Sequence, residues 1–240
     1  MVLKQNLFIL GSEGVIGSKI TPYFENEYNI FKYDYSLGHD FTDVQIVEKI
    51  FKENPCYGLI NLYALNEHVG ISKQAQSYED FDIEEMKKIL SVNVVSLFNV
   101  CRTFCKYNLS GSVINFSSIY GLRPPDNNLY KGRDMKSISY SVSKSSVIPL
   151  TQYFAKNMPN GDYRFNVIAP GGVFNSQNKD FVEKYISKVP LKRMCYPTDL
   201  IEPIRFLLSN GSSYVNGIVL PVDGGFSLWK KIFYLLDLAL

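Results

Sequence analysis

The sequence contains little cysteine and little histidine. Its 240 residues include four cysteines and two histidines, and neither residue type is spaced as in a zinc site or a disulfide framework. We therefore expect no metal centre and no disulfides. Cys101 and Cys105 could share one helix face, where packing in the core or at an interface accounts for them.

A surplus of one charge and a secretory leader are also missing. The 25 basic and 23 acidic side chains form no long run of one sign, so the chain lacks the electrostatic footprint of a nucleic-acid-binding protein. The N-terminal stretch "MVLKQNLFIL" has neither the long apolar core nor the cleavage site of a secretory signal. We expect a cytoplasmic protein that binds a small molecule.

What the sequence does contain is an alternation of strand and helix patterns. Apolar runs predict strands at 6–10, 29–34, 57–61, 112–116, 164–169 and 217–222, and the stretches between them predict helices at 15–26, 43–53, 83–107, 139–158 and 198–209. Helices between consecutive strands favour right-handed crossovers and a parallel sheet covered on both faces. No composition shift marks a linker. We predict one α/β domain over 1–240, with a doubly wound, Rossmann-type sheet of six to seven strands.

The first predicted strand leads into the glycine-rich stretch "GSEGVIG". Gly11 would permit a tight turn, Gly14 would let the backbone approach a phosphate, and Gly17 would pack the following helix against the strand. The helix N-terminus would offer N–H groups to the anion. A turn without a ligand is the alternative, but the position after the first strand favours a dinucleotide pyrophosphate.

Asp34 closes the second predicted strand, where a carboxylate can accept hydrogen bonds from the adenosine ribose hydroxyls. Its charge and that of Glu13 would repel a 2′-phosphate, and no arginine follows, so NAD is favoured over NADP. An aspartate that only caps a turn is the alternative. Asp40 and Phe41 follow where a further loop could meet the adenine.

The stretch "YSVSK" places a tyrosine and a lysine one helical turn apart. On a helix the Lys144 ammonium would lie near the Tyr140 hydroxyl. A phenol titrates near pKa ~10, and a neighbouring positive charge favours its ionised form. Ser118 follows a predicted parallel strand, and ligands bind outside the carboxyl ends of such strands. These residues therefore indicate a crevice for acid/base chemistry.

In chain order, Asn93, Ser118, Tyr140 and Lys144, after the glycine motif and before "APGGV" and "VDGG", resemble the short-chain dehydrogenase/reductase family over nearly the whole chain. The resemblance implies that Ser118 steadies a substrate oxygen and that Tyr140 is the general acid/base. Lys144 would lower the Tyr140 pKa and bind the nicotinamide ribose. Asn93 would shape its helix and hold a water in a proton relay.

The same resemblance implies a set of residues around the cofactor. They are Gly11, Glu13, Gly14, Val15, Ile16, Gly17, Asp34, Asp40, Phe41, Asn61, Tyr63, Ala64, Tyr140, Lys144, Pro170, Gly171 and Val173. Val173 would contact the nicotinamide carboxamide. The family's "NNAG" segment is here Asn61-Leu62-Tyr63-Ala64, so that Tyr63 replaces a small residue beside the cofactor.

Three further departures from the family bear on the fold. Five residues separate Asp34 from Asp40, too few for a helix between the second and third strands, so we expect the third strand to be short or absent. Pro149 falls inside the helix that carries Tyr140, where proline normally causes a kink. The glycine spacing resembles the extended branch that acts on nucleotide sugars, whereas the chain length and later motifs resemble the single-domain branch.

A polar insert at 122–139 separates the serine from the tyrosine. It is either a surface loop or a segment that overhangs the crevice and recognises a hydroxyl-rich substrate. With "PGGVFNSQ", it resembles a subgroup found with bacterial surface-polysaccharide and flagellin-glycan genes, which suggests an activated or phosphorylated sugar. Its basic residues would either bind a phosphate or simply be solvated; they are Arg123, Lys131, Arg133 and Lys136.

Two segments near the C-terminus are assigned from their patterns. Residues 174–189 predict a helical lid over the substrate. The apolar tail at 227–240 is too short to span a bilayer; it predicts a subunit interface, with an amphipathic membrane contact as the alternative. We expect a homodimer or homotetramer assembled through the long helix 83–107.

Together these features predict an NAD(H)-dependent oxidoreductase. It would move a hydride between the nicotinamide and a secondary alcohol or ketone, of a sugar or sugar nucleotide in surface glycan biosynthesis. An epimerase or dehydratase that recycles NAD is one alternative, and a non-catalytic NAD-binding regulator is another.

Overall fold

The structure, a computed structural model, describes residues 4–66, 77–130, 135–158 and 162–228. The candidate phosphate-binding residues Lys131 and Arg133 lie outside these ranges, as does the tail from residue 229 onward. The predictions made for them concern residues outside the described part of the chain.

The described residues form one parallel sheet of six strands. The strands are β1 (Asn6–Leu10), β2 (Asn29–Tyr33), β3 (Gly58–Asn61), β4 (Gly111–Phe116), β5 (Tyr163–Pro170) and β6 (Val219–Val222). Their order across the sheet is β2-β1-β3-β4-β5-β6, and every neighbouring pair is parallel. The predicted doubly wound α/β fold is confirmed.

Helices connect the strands and cover both faces. They are α1 (Gly17–Ile20), α2 (Val44–Glu53), α3 (Ile83–Leu90), α4 (Ser96–Tyr107), α5 (Ile119–Leu122), α6 (Ile138–Asn157), α7 (Lys179–Ser187) and α8 (Ile201–Leu208). A π-helical turn at Ser91–Val95 joins α3 to α4, so the predicted helix at 83–107 is continuous but locally widened. One buried cluster on each face of the sheet fills the space beneath the helices.

Between β2 and α2, over residues 34–43, the chain forms no further strand, as the short spacing between Asp34 and Asp40 predicts. Asp34 caps a single 3₁₀ turn, Tyr35–Leu37. Gly38 then adopts a left-handed conformation with φ of 86°, and Asp43 caps α2 by accepting a hydrogen bond from Gln45 N at 2.7 Å. These caps and the glycine reverse the chain in the space that a helix and strand would need.

The first helix is shorter than predicted. The expected helix at 15–26 is a four-residue α1 followed by a tighter 3₁₀ turn at Thr21–Phe24. Pro22 stands in that turn, and a proline cannot donate the backbone hydrogen bond that would continue the α-helix. Pro149 has no such effect on the described part of α6, which runs continuously from Ile138 to Asn157.

The buried cysteines pack as the sequence predicts. Cys56 and Cys101 belong to the core cluster beneath α2 and α4, and Cys105 packs partly buried against it. Within the described ranges no group of three or more His, Cys, Asp or Glu side chains could hold a metal ion.

The helical run Ile83–Tyr107 has the length and apolar composition of a membrane-spanning helix. Half of its most apolar window is buried inside the fold. This is the pattern of a helix that packs on a sheet, and a core helix meets the same length and composition criteria.

Candidate active site

A single continuous cleft runs along the carboxyl ends of the strands, with a volume of about 1340 Å³. The loops after β1 and β2 line one end, which we call the glycine end. The residues after β4, the start of α6 and helix α7 line the other, which we call the tyrosine end. A pocket for one drug-sized ligand is roughly 300–1,000 Å³, so this cleft has room for a dinucleotide and a second ligand.

The glycine end is shaped by backbone that packs against backbone. Gly11 has φ of +87°, and a Cβ placed there would lie 2.5 Å from Tyr63 N. A Cβ at Gly17 would lie 2.2 Å from Gly11 O, whereas one at Gly14 would meet Gly11 O at 3.4 Å, an ordinary contact. Gly14 is exposed and lines the cleft. Gly11 and Gly17 thus close the loop, and Gly14 leaves its outer side open to a ligand, as a dinucleotide site requires.

Asp34 holds this loop in place. One carboxylate oxygen accepts a hydrogen bond from Glu13 N at 3.1 Å, and the other accepts one from Ser36 N at 2.9 Å. The His39 ring lies beside the Asp34 carbonyl, with its Nδ1 at 3.2 Å. Asp34 lines the cleft, but Glu13 is not among the described lining residues. Glu13 therefore contributes its backbone N to the loop, and its side chain accepts a hydrogen bond from Ser12 Oγ at 3.1 Å; its predicted effect on a 2′-phosphate stays a prediction.

Phe41 and Tyr63 pack against each other at the wall of the glycine end. Their ring centroids are 4.5 Å apart, and the Tyr63 hydroxyl shares a hydrogen bond of 2.8 Å with Ser96 Oγ on α4. Burial raises the pKa of Tyr63. The ring is held towards the helix layer, which explains how the fold accommodates a tyrosine where the family has a small residue.

Two predicted site residues lie behind the cleft wall. Asn61 is buried and donates from Nδ2 to Asn115 Oδ1 at 2.7 Å. Asn93 accepts from Leu65 N at 2.7 Å, and its Nδ2 donates to Leu65 O and to Ser143 Oγ, each at 2.9 Å. Neither is among the described residues that line the cleft. The Asn93 side chain ties the segment after β3 to α6, so it supports the wall rather than touching the crevice.

A glycine positions the serine against the tyrosine helix. A Cβ at Gly121 would lie 2.3 Å from Ser117 Oγ and 2.6 Å from Lys144 O. Ser117 Oγ donates to that same carbonyl at 2.7 Å. The glycine of "SSIYG" thus lets α5 approach α6 closely, and this approach brings Ser118 beside Tyr140.

Ser118, Tyr140 and Lys144 meet at the tyrosine end. Ser118 caps α5, its Oγ accepting a hydrogen bond from Tyr120 N at 3.1 Å, and its hydroxyl also hydrogen-bonds the Tyr140 phenol. Lys144 Nζ lies 5.9 Å from the Tyr140 ring centroid and donates to Phe116 O at 2.8 Å. All three residues line the cleft.

Burial dominates the electrostatics of this group. It raises the pKa of Tyr140 to about 12, and the hydrogen bond from Ser118 opposes it more weakly. Burial also lowers the pKa of Lys144 to about 8. The expected lowering of the Tyr140 pKa by Lys144 does not appear in this structure, in which desolvation, which disfavours any charged form, raises that pKa. Tyr140 is a protonated phenol at neutral pH, the form that can donate a proton.

The described part of the insert between Ser118 and Tyr140 packs against helix α7. The Tyr130 ring lies 5.6 Å from that of Phe181 on α7, and its hydroxyl shares a hydrogen bond of 2.9 Å with that of Tyr120. Asp126 forms an ion pair with Lys188 just beyond α7. Because Tyr120 and Tyr130 also line the cleft, these contacts place the insert and α7 side by side at the tyrosine end.

The end of β5 and the residues that follow it close the tyrosine end from the other side. Pro170, Gly171 and Val173 line the cleft, and a Cβ at Gly172 would lie 2.8 Å from the Tyr185 ring. The glycine therefore lets helix α7 pack directly on this backbone.

Several cleft residues were missed in the sequence. They are His39, Leu65, Asn66, Lys88, Ser91, Val92, Tyr120, Tyr130 and Tyr185. Tyr120 carried a usable signal, because it lies inside "SSIYG" immediately after the strand-end serine. Most of the others lie in loops or on α7, where no local sequence pattern marks a residue as facing the cleft. Only the tertiary fold brings them there.

Comparison with known proteins places these observations in context. A protein-family profile described as "Enoyl-(Acyl carrier protein) reductase" matches residues 34–227. A 3-oxoacyl-acyl-carrier-protein reductase from Thermotoga maritima is 31% identical over an alignment of 194 residues that covers 75% of this chain and 70% of the relative. A 2-dehydro-3-deoxy-D-gluconate 5-dehydrogenase from Dickeya dadantii is 30% identical over an alignment of 208 residues that covers 79% of this chain and 75% of the relative.

One relative and one solved structure bear on the predicted subgroup and cofactor. The post-translational flagellin modification protein A of Campylobacter coli is 31% identical over an alignment of 156 residues that covers 63% of this chain and 61% of the relative. A short chain dehydrogenase from Leptospira borgpetersenii, solved with bound NAD+, matches with a TM-score of 0.82 at 27% identity, covering 95% of this chain and 97% of that one.

Proposed function

Since the chain belongs to the short-chain dehydrogenase/reductase family, whose members are oxidoreductases that use a nicotinamide cofactor, we propose that it transfers a hydride between NAD(H) and a secondary alcohol or ketone. The observation that carries the proposal is the meeting of Ser118, Tyr140 and Lys144 in a cleft that continues to the glycine loop. These groups can bind and protonate an oxygen, and the cleft can hold a dinucleotide beside it.

Tyr140 acts as the general acid in reduction and as the general base in oxidation. As a buried, protonated phenol it donates its proton to the carbonyl oxygen, and Ser118 hydrogen-bonds the same oxygen. The nicotinamide, when bound, supplies or accepts the hydride. The Lys144 ammonium then favours the phenolate that proton donation leaves behind, because an opposite charge nearby stabilises the ionised form.

The glycine end holds the dinucleotide. The Gly11–Gly17 loop receives the pyrophosphate, and Asp34 receives the adenosine ribose hydroxyls. Pro170, Gly171 and Val173 lie along the nicotinamide, and Lys144 binds its ribose. We propose NAD as the preferred cofactor because the carboxylate of Asp34, which accepts a hydrogen bond from the Glu13 backbone N, and the carboxylate of Glu13 would both repel a 2′-phosphate.

We propose a carbohydrate substrate, a sugar or sugar nucleotide of surface glycan biosynthesis, covered by α7 as a lid. Similarity to the flagellin modification protein and to a dehydrogenase named for a sugar acid supports this class. For assembly, Val95 and Phe98 leave apolar surface exposed on the helical run 83–107, and Tyr153 does so on α6. A homodimer or homotetramer would bury this surface.

Tyr140→Phe tests the proposal. A positioned acid/base contributes about 10²–10⁴-fold to rate, so kcat should fall by at least about 10²-fold. The affinity for NADH, measured by titration calorimetry, should stay within about twofold of the wild-type value. Tyr153→Phe, on the exposed side of the same helix, is the matched control and should leave both values unchanged. Retention of turnover in the Tyr140 variant would contradict the assignment.

The alternatives predict a different cofactor balance. An epimerase or dehydratase would convert a sugar nucleotide with no net change in NADH, whereas the proposed reaction consumes or forms one NADH per turnover. A non-catalytic binding protein would bind NAD and turn over no sugar, sugar phosphate or nucleotide sugar. Screening these substrates with absorbance at the NADH band and product analysis in parallel separates all three.

A further inference from the structure

Two tyrosines, which we call the phenol pair, share one hydrogen bond at the tyrosine end of the cleft. The hydroxyl oxygens of Tyr120 and Tyr130 lie 2.9 Å apart, and both residues line the cleft. Burial raises the pKa of both phenols, so each keeps its proton at neutral pH. Their shared bond uses one of these two protons. Neither hydroxyl has another hydrogen bond within the described residues, so the second proton and an acceptor position remain for a ligand.

Packing holds the phenol pair in place. The Tyr130 ring lies 5.6 Å from the Phe181 ring, which stacks on the Tyr185 ring at 5.9 Å. The backbone of Tyr120 is tied to α6, because its carbonyl accepts a hydrogen bond from Ser141 Oγ. Ligand pockets combine apolar and aromatic walls with a few precisely placed polar groups. The phenol pair is such a polar group in a wall of aromatic rings.

The phenol pair lies close to the group that transfers the proton. Tyr120 N donates to Ser118 Oγ at 3.1 Å, and the Ser118 hydroxyl hydrogen-bonds the Tyr140 phenol. Burial is the main cause of the raised Tyr140 pKa, and the neighbouring Tyr120 phenol adds to it through space. A ligand whose reacting oxygen meets Ser118 and Tyr140 therefore places its neighbouring atoms beside the phenol pair. The proposed reaction gives this pair no role.

We infer that the phenol pair determines substrate specificity by binding a second hydroxyl of the substrate, near the carbon that reacts. The inference rests on the proposed function, since it takes the reacting oxygen to be the one that meets Tyr140. A hydroxyl completes the pair because it accepts the unshared phenol proton and donates to a phenol oxygen in return. A ligand without this hydroxyl leaves a buried donor unpaired, and sites built to bond a hydroxyl reject such ligands. The substrate class is therefore a polyol or a hydroxyketone, not a simple alcohol or ketone.

Cyclohexanol and the cyclohexanediols test this inference without turnover. The 1,2-, 1,3- and 1,4-diols, each in its cis and trans form, add one hydroxyl at every position that the ring allows. Each alcohol is titrated by calorimetry into the protein saturated with NADH, which cannot accept a hydride from it. We expect at least one diol to bind about tenfold or more tightly than cyclohexanol. If no diol binds more tightly than cyclohexanol, the inference is overturned.

Phenylalanine variants assign the preference to the phenol pair. The double variant Tyr120→Phe/Tyr130→Phe removes both hydroxyls and keeps both rings, including the ring that packs on Phe181. It should bring the preferred diol within about threefold of cyclohexanol, without lowering the affinity for cyclohexanol itself. Tyr35→Phe is the matched control, because it removes an exposed phenol from the glycine end of the same cleft, and it should leave the preference unchanged. Equal weakening of both ligands in the double variant would indicate a role in shaping the wall and overturn the inference.

A turnover comparison separates this inference from the proposed function. With NAD as oxidant, kcat/KM of the wild type should favour the preferred diol over cyclohexanol about tenfold or more. The double variant should remove this ratio by lowering the value for the diol alone. Equal kcat/KM for the two alcohols in the wild type would overturn the inference and leave hydride transfer standing. Absence of NAD reduction with every alcohol, together with a binding preference that depends on the phenol pair, would count against the hydride-transfer proposal alone.

Discussion

The two ends of the cleft are built in different ways. At the glycine end the contacts that matter are between backbone atoms, with Gly11 and Gly17 placed where a Cβ would overlap neighbouring backbone. At the tyrosine end they are between buried side chains, whose pKa values shift because burial disfavours charge. We therefore expect dinucleotide binding to depend on the shape of the loop, and proton transfer to depend on the desolvation of the buried side chains.

This difference separates the expected effects of substitution. A change at the glycine end alters the space available to the loop and should act on folding and on dinucleotide affinity. A change at the tyrosine end alters charge and should act on turnover and on the pH dependence of stability. Substitutions at each end can therefore test whether the two are independent.

Gly17→Ala should have the largest effect. Its Cβ would lie 2.2 Å from Gly11 O and 2.8 Å from Ser12 Cα, so the loop must move. Overpacking against backbone that cannot yield costs on the order of 3–4 kcal/mol. We expect that loss in the free energy of unfolding, measured with urea, together with loss of NAD binding.

Gly14→Ala is the matched control for this comparison, because its Cβ would make only an ordinary contact with the Gly11 carbonyl. The free energy of unfolding should change by less than about 1 kcal/mol, while NAD affinity falls at least tenfold because the methyl group enters the space of the phosphates. If both alanine variants were equally destabilised, the close approach of Gly17 to the backbone of Gly11 and Ser12 would not be what determines the shape of the loop.

Lys144→Met should stabilise the protein while it abolishes turnover. Burial lowers the pKa of Lys144 from 10.5 to about 8, which at neutral pH is a penalty of ~3 kcal/mol at about 1.4 kcal/mol per pKa unit. Loss of the hydrogen bond to Phe116 O returns roughly 1 kcal/mol. We expect a net gain of about 2 kcal/mol at pH 7.

The sign of the pH dependence follows from the same pKa. Between pH 8 and pH 10 the unfolded state keeps the Lys144 proton and the folded state loses it, so wild-type stability should rise with pH relative to the methionine variant. Urea unfolding of both proteins at pH 7, 8, 9 and 10 measures the difference. A constant difference over this range would mean that Lys144 is not desolvated.

Asp34→Asn should have a smaller effect, mainly on cofactor choice. The amide oxygen can still accept from either Glu13 N or Ser36 N but not from both, and the substitution removes the charge that would repel a 2′-phosphate. We expect the ratio of kcat/KM for NADP to that for NAD to rise about tenfold, which corresponds to ~1.4 kcal/mol. Asp43→Asn, at the cap of α2, is the control for a charge lost outside the cleft and should leave the ratio unchanged.

The sequence predicted the sheet because strand and helix patterns are local. All six strands lie within two residues of their expected bounds, and the absence of a strand between β2 and α2 followed from the short spacing between Asp34 and Asp40. The first helix was predicted too long, because Pro22 outweighed an apolar pattern that otherwise continued. Local pattern is thus a sufficient guide where no proline or cap intervenes.

The site was predictable only where family motifs carry it. Ser118, Tyr140 and Lys144 were recognised and meet in space, but the buried positions of Asn61 and Asn93 behind the wall depend on packing that the sequence does not display. Lys136 was noted only as one charge in a polar insert. Its place beside Tyr140 follows from how the insert packs against α7, a tertiary effect with no local signal.

Asp126→Asn should have the smallest effect, at the roof of the tyrosine end. The ion pair with Lys188 lowers the pKa of Asp126, so its contribution to stability is present above the unfolded value of ~3.9 and is lost as pH falls through the lower folded value. Both partners are partly exposed, which limits the loss to about 0.5 kcal/mol at pH 7. Hydrogen exchange of the α7 amides should accelerate by the factor that corresponds to this loss of free energy. High salt should remove the difference in exchange between the variant and the wild type. Glu183→Gln breaks an ion pair within α7 alone and should leave the hydrogen exchange of α7 nearly unchanged. Equal acceleration in both variants would mean that the contact between Asp126 and Lys188 does not stabilise α7.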